Sequence, residues 1–301
     1  MNKVCTVSTI KAPVSETLMF VNYHLNIGID QVIIFFDDPN DASAGYLKDY
    51  RRVTCVMCDD SYWQKNGGSR PLAIEDRQVI NNNNGLEMAR ERSFQWAIFI
   101  DNDELVYPAG DLKLLLSGIK ADVVRFTIYE AISEEEYYDN IFVPALFKRP
   151  ARSLQIRAAM LLGCKRAFFE GKYFRGHIAS KVAVRVNTEI KKVGIHGPAS
   201  SGVVEELTRQ IMLLHYDCVG IDSWKTKWLG RMNVSAVKGL GSNRKRQLEL
   251  FAKALHQDNT ELRGLYRQVY LIPKYEQMIL GMLNMLASVQ LDKKLFEPPL
   301  N

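Results

Sequence analysis

The sequence has few cysteines, and their spacing forms no recognisable framework. The 301 residues include five cysteines at irregular intervals, which predicts a reducing compartment and no structural disulfides. Cys55 and Cys58 have the spacing of half a zinc site, but no second close pair exists, and alternation along a strand would place the two on opposite faces. The cysteines therefore predict neither a structural zinc site nor a disulfide-stapled secreted fold.

Long apolar runs and phosphate-binding glycine loops are also missing. No segment approaches the roughly 20 uninterrupted apolar residues of a membrane-spanning helix. The first ten residues are too strand-like for a secretory signal, so the predicted location is cytoplasmic. The only glycine-rich turn, at 66–70, lacks the Gly-x-x-x-x-Gly-Lys pattern of a nucleotide-binding loop.

Positive charge is concentrated in the last part of the chain. The net charge is +5, and residues 221–301 carry 13 Lys and Arg against 7 Asp and Glu, so the remainder is close to neutral. This basic extension predicts either a peripheral contact with anionic headgroups at the inner membrane face or an ordinary solvated helix surface. Nucleic acid is not an expected partner.

Apolar runs alternate with helical patterns through the first hundred residues. A β-rich run occupies 4–10, and continuous apolar runs of the kind found in parallel strands buried on both faces occupy 32–36 and 96–100. A helical pattern over 74–94 carries a predicted break at Asn81–Gly85. This rhythm is typical of an α/β fold, here a Rossmann-like domain with a mostly parallel central sheet.

The predicted domain boundary lies near residue 220. Residues 1–220 are expected to form the α/β domain, and 221–301 a basic helical extension that packs on it. Amphipathic or apolar stretches at 244–255 and 275–289 predict two of the helices in that extension.

Acidic residues follow two of the apolar runs, where the strands are predicted to end. Asp37 and Asp38 follow the run 32–36, and Asp101-Asn102-Asp103-Glu104 follows the run 96–100. Ligands of open parallel sheets bind beyond the carboxyl ends of the strands. Two carboxylates one residue apart repel each other unless a cation neutralises them, and Mg²⁺ and Mn²⁺ prefer such oxygens together with substrate phosphates. Asp101 and Asp103 are therefore predicted to clamp a nucleotide diphosphate through a divalent cation.

The acidic motif belongs to an ordered set of motifs that covers roughly residues 5–230. In chain order these are Lys11 with Glu16, Tyr23–Asp30, the run 32–36 with the turn Asp37–Asp41, the run 96–100 with Asp101–Glu104, 181–185, 195–198 and 213–216. The set resembles bacterial family-2-like glycosyltransferases of the A-type (GT-A) fold with an Asp-x-Asp-Glu motif. The resemblance implies a GT-A nucleotide-sugar-binding domain and a metal-dependent glycosyltransferase.

The resemblance also implies roles for single residues around the donor, which is expected to be a UDP-sugar. Uracil and ribose would be held by Lys11, Asp37, Asp38 and Asp41. The diphosphate and metal would be held by Asp101, Asn102 and Asp103. A C-terminal histidine often completes the metal shell in this fold, which implies His196 or His215, and imidazole suits Mn²⁺ better than Mg²⁺. Lys181 and Arg185, which share one face of a predicted strand, would steady the leaving diphosphate.

An inverting transfer requires a base for the proton of the acceptor hydroxyl, and the resemblance favours inversion. The candidate bases are Glu130, at the end of a predicted strand, and Glu134, Glu135, Glu136 and Asp139 in the acidic loop that follows. The expected acceptor is a saccharide or glycolipid hydroxyl, in the assembly of a bacterial surface polysaccharide or lipopolysaccharide. The sequence leaves the choice among these carboxylates open.

Two other functions fit part of the sequence. A nucleotidyltransferase also binds a nucleotide through two carboxylates and a metal. A non-catalytic carbohydrate- or polyanion-binding module would instead use the basic extension, and it predicts salt-sensitive polyanion binding without metal-dependent donor hydrolysis.

Overall fold

The chain forms two units, and the computed structural model describes residues 2–176, 180–198, 202–232 and 241–299. The first unit comprises Met1–Thr127, Ala179–Leu213 and Leu291–Asn301, and the second comprises Ile128–Ile178 and Leu214–Gln290. The second unit thus contains a central segment of the chain in addition to most of the predicted extension. This division differs from a single boundary at residue 220.

The secondary structure within the described residues alternates between strands and helices as far as β4. The strands are β1 (Val4–Ile10), β2 (Gln31–Phe36), β3 (Val53–Met57), β4 (Trp96–Phe99), β5 (Glu104–Pro108), β6 (Val123–Ala131), β7 (Leu146–Lys148), β8 (Val182–Arg185), β9 (Val193–Gly194), β10 (Gly197–Pro198), β11 (Glu205–His215) and β12 (Leu286–Ser288). The helices are α1 (Val14–Asn26), α2 (Ser43–Leu47), α3 (Asp60–Lys65), α4 (Ile74–Glu91), α5 (Leu112–Ser117), α6 (Ser153–Leu161), α7 (Ile221–Met232), α8 (Ser242–Leu255), α9 (Asn259–Tyr270) and α10 (Lys274–Met282), with a 3₁₀ turn at Lys293–Phe296. No helix in the described part of the chain has the length and apolar character needed to cross a bilayer.

Parallel strands form the centre of the sheet in the first unit, in the order β3-β2-β1-β4. β1 lies between β2 and β4 and pairs in parallel with both. Every residue of β1 is buried, as expected for a strand covered on both faces. β8 then pairs antiparallel with β4, and residues 123–125 of β6 pair antiparallel with β8. The predicted α/β fold with parallel central strands is confirmed, and antiparallel strands extend one side of the sheet.

Helix α4 is continuous through the asparagine run, so the predicted break at Asn81–Gly85 is wrong. Tertiary hydrogen bonds satisfy the asparagine side chains: Asn81 donates to the Thr9 hydroxyl (2.9 Å), and Asn84 donates to the Tyr62 hydroxyl (2.7 Å). At Gly85 the helix approaches β1 so closely that a Cβ atom would lie 2.4 Å from Val7 Cγ1. These contacts outweigh the poor helix propensity of asparagine and glycine.

The second unit is mostly helical, and its described residues include two apolar clusters. Trp224, Trp228 and Phe251 belong to the core built by α7, α8 and α9. The other core joins α6 and α10 through buried residues such as Ala159 and Leu280.

The end of α10 differs from the sequence prediction. The sequence predicts a helical stretch through residue 289, whereas α10 ends at Met282 and Leu286–Ser288 pairs with β7 as β12. Asn284 adopts a φ of 55°, a left-handed conformation that asparagine tolerates and that ends a helix.

Candidate active site

The acidic turn Asp101–Glu104 lies at the carboxyl end of β4, beside the carboxyl end of β1. The strand order reverses between these two strands, because β2 and β3 follow on one side of β1 and β4 is added on the other. Open α/β sheets bind ligands in the crevice beyond such a switch point. The Glu104 N–H donates to the Asp101 carbonyl (3.1 Å), and the Asp101 N–H donates to the Glu104 carboxylate (2.9 Å). These two bonds close the turn at the place where the fold is expected to hold a ligand.

Lys181 forms an ion pair with Asp101, with 2.8 Å between Nζ and Oδ2. Gln78 Nε2 donates to the other carboxylate oxygen, Oδ1, at 2.8 Å. Burial alone would lower the pKa of Lys181, but the Asp101 and Glu104 carboxylates outweigh it and raise that pKa to about 12. Lys181 is therefore a charged partner of the acidic turn, and the sequence prediction did not anticipate this pairing.

Further carboxylates add negative charge around the turn. Burial raises the pKa of Glu104 to about 8; Lys181 opposes the shift, and Asp101 and Asp103 add to it. Burial also raises the pKa of Glu16, on α1, to about 7, with a contribution from the charge of Asp103. Within the described part of the first unit, the carboxylates of Glu16, Asp103 and Glu104 thus lie close to the Lys181–Asp101 pair. The raised pKa values of Glu16 and Glu104 indicate a negative potential that favours protons, and the same potential favours a divalent cation.

The second acidic turn begins with Asp37, which is almost fully buried. Arg77 Nε lies 2.6 Å from Asp37 Oδ1, and Arg70 Nη2 lies 2.8 Å from Oδ2. Arg77 Nη2 also donates to Asp37 Oδ2 (3.1 Å). Two guanidinium groups therefore neutralise this carboxylate and order the turn. A direct contact between Asp37 and a nucleotide stays a prediction.

The other predicted donor contacts lie on loops that follow β1 and β2. Lys11 is exposed directly after β1. Asp38 accepts a hydrogen bond from the Asn40 N–H (2.9 Å), and Asp41 accepts one from the Ser43 N–H (2.8 Å). Their contact with a base and ribose stays a prediction.

His196 lies in the two-residue turn of the β9–β10 hairpin, in which Gly194 pairs with Gly197. Asn82 Nδ2 donates to the Gly194 carbonyl (3.1 Å). Asn83 Nδ2 donates to the Val193 carbonyl, and its Oδ1 accepts from the Val193 N–H, both at 3.0 Å. The asparagine run of α4 therefore positions the hairpin that carries His196. Its role as a metal ligand stays a prediction.

Arg185 lies at the far end of the sheet from the acidic turn, contrary to the prediction that it steadies a diphosphate. The register pairs Arg185 with Trp96, the first residue of β4, and Val182 with Phe99 at the other end. This separation amounts to roughly 10 Å along the strand at ~3.3 Å per residue. The Arg185 guanidinium lies 4.4 Å from the centre of the Trp96 ring and donates to the Ile119 carbonyl (2.6 Å).

Glu130, in the second unit, is buried and heavily hydrogen-bonded. Its carboxylate accepts bonds from the Arg175 N–H (2.8 Å) and the Gly176 N–H (2.7 Å), and Lys148 Nζ lies 3.7 Å away. A general base needs access to the acceptor hydroxyl. The structure therefore gives no support to Glu130 among the candidate bases, since its carboxylate holds the backbone at 175–176.

Glu135 and Asp139 are exposed on the acidic loop of the second unit, and no bond of their carboxylates selects one as the base. Their two neighbours of like charge are engaged: Glu134 pairs with Lys274 (2.6 Å), and Glu136 pairs with Arg263 (2.9 Å). The choice between Glu135 and Asp139 stays open.

His215 ends β11 in the second unit and is nearly buried. Asp217, two residues later, pairs with Lys227 (2.6 Å) and Arg244. Burial opposes ionisation of Asp217, but Arg244, Lys227 and His215 hold its pKa well below the usual range. The metal-binding role of His215 stays a prediction.

Several residues around these carboxylates were missed as site residues. Arg77 and Gln78 lie within a predicted helix, and the local sequence does not indicate that they contact Asp37 and Asp101 at the ends of β2 and β4. Asp217 follows His215 at the i, i+2 spacing that repeats a face of an extended chain, which is the one signal available for it. Glu16 was part of the resemblance but was given no role.

A cleft of about 680 Å³ lies entirely within the second unit. Lys165, Arg166 and Arg246 line it together with apolar residues from α8 and α9. None of the described residues predicted for the donor or metal site lines this cleft.

Two curated proteins of Arabidopsis thaliana, both named glycosyltransferase-like, match the chain. One is 25% identical over 221 residues, which cover 64% of this chain and 48% of that protein. The other is 24% identical over 221 residues, which cover 64% of this chain and 42% of that protein. The chain therefore spans less than half the length of these relatives. No protein-family model matches it.

Among solved structures, the glucosyl-3-phosphoglycerate synthase of Mycobacterium tuberculosis in complex with Mn²⁺, UDP-glucose and phosphoglyceric acid also matches. It is 13% identical, with a TM-score of 0.32 over 62% of this chain and 57% of that chain. The predicted resemblance to glycosyltransferases is confirmed in the names of the relatives. The chain is thus similar in sequence to plant proteins that are named glycosyltransferase-like.

Proposed function

We propose that the protein is a glycosyltransferase that binds a nucleotide-diphosphate sugar through a divalent cation at Asp101-Asn102-Asp103. The observation that carries this proposal is the cluster of carboxylates at the switch point of the sheet. Glu16 and Glu104 have raised pKa values beside Asp101 and Asp103, and Lys181 pairs with Asp101. A divalent cation and the phosphates that accompany it fit such a group.

The donor set fits Mn²⁺ or Mg²⁺, since carboxylate oxygens are the ligands that both ions accept. Asp103 is the proposed direct ligand. Asp101 is oriented by Gln78 and Lys181, which each contact one of its oxygens, and hydrogen bonds of this kind fix ligating carboxylates. His196 and His215 remain the candidates for an imidazole ligand, which would favour Mn²⁺.

The nucleoside end of the donor is proposed to lie over the loops that follow β1 and β2. Lys11 and Asp38 are exposed there, and Asp41 orders the start of α2 through Ser43. Asp37 orders the start of this loop, because its buried carboxylate forms ion pairs with Arg70 and Arg77. A UDP-sugar is the proposed donor class.

In the proposed reaction the acceptor hydroxyl oxygen attacks the anomeric carbon of the sugar. The bond between that carbon and the diphosphate oxygen breaks, and the nucleoside diphosphate leaves with the electron pair. When bound, the cation would offset the charge on the leaving diphosphate. The hydroxyl proton passes to a carboxylate base, for which Glu135 and Asp139 are the remaining candidates, and inversion is the proposed stereochemistry.

The sequence similarity to glycosyltransferase-like proteins supports this function over the nucleotidyltransferase alternative. The acceptor is proposed to be a saccharide or glycolipid. Both curated relatives are plant proteins, so assembly of a bacterial surface polysaccharide stays a prediction, as does a cytoplasmic location.

Thermal unfolding with UDP, GDP and CDP, each with Mn²⁺, Mg²⁺ or a chelator, tests the proposal. A nucleotide at about 100 times its dissociation constant stabilises the folded state by ~2.7 kcal/mol. We expect one nucleotide to raise the melting temperature only when metal is present, and Asp103→Asn to abolish the shift. Asp49→Asn, an exposed aspartate of the same unit, is the matched control and should retain it.

Product analysis separates the two enzyme classes. Incubation with the stabilising nucleotide's sugar conjugate should release the nucleoside diphosphate and free or transferred sugar. Release of pyrophosphate from a nucleoside triphosphate and a sugar phosphate would instead identify a nucleotidyltransferase. A wild-type protein that responds to no nucleotide would refute both.

A further inference from the structure

The exposed faces of α6 and α10, both in the second unit, are apolar where solvent-facing helix surfaces are normally polar. On α6, Leu154 and Leu161 are 78% and 89% exposed. On α10, Met278 and Met282 are 64% and 80% exposed, and Tyr275 is also exposed. A helix that packs on a core by one face is expected to present charged or polar residues on the other. These two helices reverse that expectation.

The exposed residues repeat at helical spacing, so each set forms a stripe. Leu154 and Leu161 on α6 are seven residues apart, with Arg157 between them at i+3. Tyr275, Met278 and Met282 on α10 follow the same i, i+3, i+7 pattern, which places the members of each set on one face.

The two helices are neighbours with a common core. Buried Ala159 of α6 and Leu280 of α10 belong to the same apolar cluster. Gln155 Nε2 donates to the Leu283 carbonyl (2.7 Å), and Arg149 Nη1 donates to Asn284 Oδ1 (3.0 Å). The inner faces of the helices thus pack in the common core, whereas the outer stripes are exposed. We call the two stripes, together with Leu162 after α6 and the exposed cations Arg152, Arg157, Lys165 and Arg166, the apolar-basic surface.

The chain around α6 carries mostly positive charge. Residues 141–169 contain six Lys and Arg and no Asp or Glu. Of these cations, Arg152, Arg157, Lys165 and Arg166 are exposed. The acidic residue that α10 brings to this region, Glu276, is fully buried and accepts bonds from the Arg166 and Ala167 N–H groups (3.0 and 2.7 Å). Exposed cations therefore predominate around α6. The exposed acid that follows this segment, Glu170, lies 3.7 Å from Arg246.

We infer that the apolar-basic surface docks onto an anionic lipid bilayer. Leucine, methionine and tyrosine side chains on one face of a surface helix insert at the boundary between headgroups and acyl chains. Lys and Arg beside them attract anionic headgroups, and their long stems follow the apolar surface while the charge stays in water. A protein partner of acidic charge would explain the cations but would not require largely exposed leucines and methionines on two adjacent helices.

The inferred surface differs from the membrane contact predicted for the basic extension, because half of it lies on α6, outside residues 221–301. It also does not rest on the proposed glycosyl transfer. Asp103→Asn should bind vesicles as the wild type does, so failure of one proposal leaves the other standing.

Flotation of the full chain with lipid vesicles tests the inference. We expect the protein to float with phosphatidylcholine vesicles that contain about 30% phosphatidylglycerol and to bind pure phosphatidylcholine vesicles far less. Leu161→Ser with Met282→Ser should weaken binding at least ~10-fold. Arg157→Glu should weaken binding to the anionic vesicles by roughly fivefold or more. The matched control is Leu72→Ser with Leu114→Ser, two leucines of the first unit that are each 72% exposed, and it should bind as the wild type does.

Folding of the variants is checked by circular dichroism and by their unfolding midpoints. Equal binding by the Leu161→Ser, Met282→Ser variant and the wild type would overturn the inference, as would a wild-type protein that does not float with anionic vesicles. Sedimentation velocity supplies the remaining outcome. A wild-type dimer that the same double variant dissociates would assign the surface to a second copy of the chain instead.

Discussion

Arg77 and Gln78 are adjacent on α4, and their side chains hold two different acidic turns. Arg77 Nε lies 2.6 Å from Asp37 Oδ1, after β2, whereas Gln78 Nε2 donates to Asp101 Oδ1 at 2.8 Å, after β4. One turn of helix therefore fixes the carboxylates at the ends of two strands that flank β1. Any displacement of α4 would change both turns together.

Arg77→Met should destabilise the protein strongly, because it leaves the buried Asp37 carboxylate without its inner partner. Breaking a buried ion pair from one side costs about 3 kcal/mol or more. Arg70→Met is the matched control: the Arg70 side chain is 43% exposed, so its loss should cost at most about 1 kcal/mol. Urea unfolding measures both. An equal decrease in the free energy of unfolding for the two variants would show that burial does not make the Arg77–Asp37 pair more stabilising than the Arg70–Asp37 pair.

Lys181→Met should also destabilise the protein, since it removes the cation that pairs with Asp101 of the acidic turn. The Lys181 side chain is 6% exposed and that of Asp101 is 33% exposed, so solvent screening limits the expected loss to about 2 kcal/mol. Lys113→Met, which breaks a more exposed pair with Asp30 (2.6 Å), should cost less than about 1 kcal/mol. Because Mn²⁺ can replace the lost charge, adding it should restore stability to Lys181→Met more than to Lys113→Met. A wild-type unfolding curve for Lys181→Met without metal would contradict the role of this pair.

Glu104 and Glu16 should lower the stability of the metal-free protein as pH rises from about 4.5 to about 8, whereas buried His24, whose pKa is lowered from 6.5 to about 4, acts in the opposite direction below about pH 6.5. The pKa of Glu104 is raised from 4.5 to about 8, and that of Glu16 from 4.5 to about 7. Within this window the two carboxyl groups hold protons in the folded chain that they release in the unfolded chain. Their contribution to the free energy of unfolding therefore decreases with pH and is lost above their folded pKa values.

Urea unfolding in chelator at pH 5, 6, 7 and 8 measures this slope. Glu104→Gln should flatten it through the whole window, and Glu16→Gln should flatten it only below about pH 7. Glu87→Gln, whose side chain is 59% exposed, is the control and should leave the slope unchanged. Saturating Mn²⁺ should reduce the slope in the wild type, because the cation favours the ionised carboxylates. Equal slopes for Glu104→Gln and the wild type in chelator would contradict this account.

The central strands of the first unit could be predicted because strands that are buried on both faces have continuous apolar sequences, such as 32–36 and 96–100. The position of Asp101 and Asp103 followed from the end of one such run. Local sequence could not predict the pairing of Lys181 with Asp101 across 80 residues of chain, nor the opposite placement of Arg185, since both depend on the antiparallel register of β8 with β4.

The environment of Glu130 also depends on contacts that are distant in sequence. Glu130 ends a strand, as predicted, but whether a strand-end carboxylate faces a substrate or the backbone depends on what packs beside it. Here the N–H groups of Arg175 and Gly176 converge on it, and these residues lie more than forty positions later in the chain. Tertiary hydrogen bonds also overrode propensity in α4, where asparagine and glycine predicted a break.

Gly85→Ala offers a direct test of that override. Alanine favours a helix interior over glycine by about 1 kcal/mol, so propensity alone predicts stabilisation. The added Cβ would, however, lie 2.4 Å from Val7 Cγ1 and 2.9 Å from Val7 Cγ2, and Val7 is a fully buried residue of β1. Separating α4 from β1 to relieve this clash should cost about 1–3 kcal/mol. The net change should therefore be destabilising.

Gly264→Ala is the matched control, because Gly264 lies inside α9 and a Cβ there meets nothing within 4 Å. Differential scanning calorimetry should show a lower melting temperature for Gly85→Ala and an equal or higher one for Gly264→Ala. The double variant Gly85→Ala, Val7→Ala should recover part of the loss from the clash, since the shorter side chain removes both γ-methyl groups that the new Cβ would meet. If Gly85→Ala instead melts above the wild type, then α4 and β1 are not in the close contact described, and the continuity of α4 through the asparagine run needs another cause.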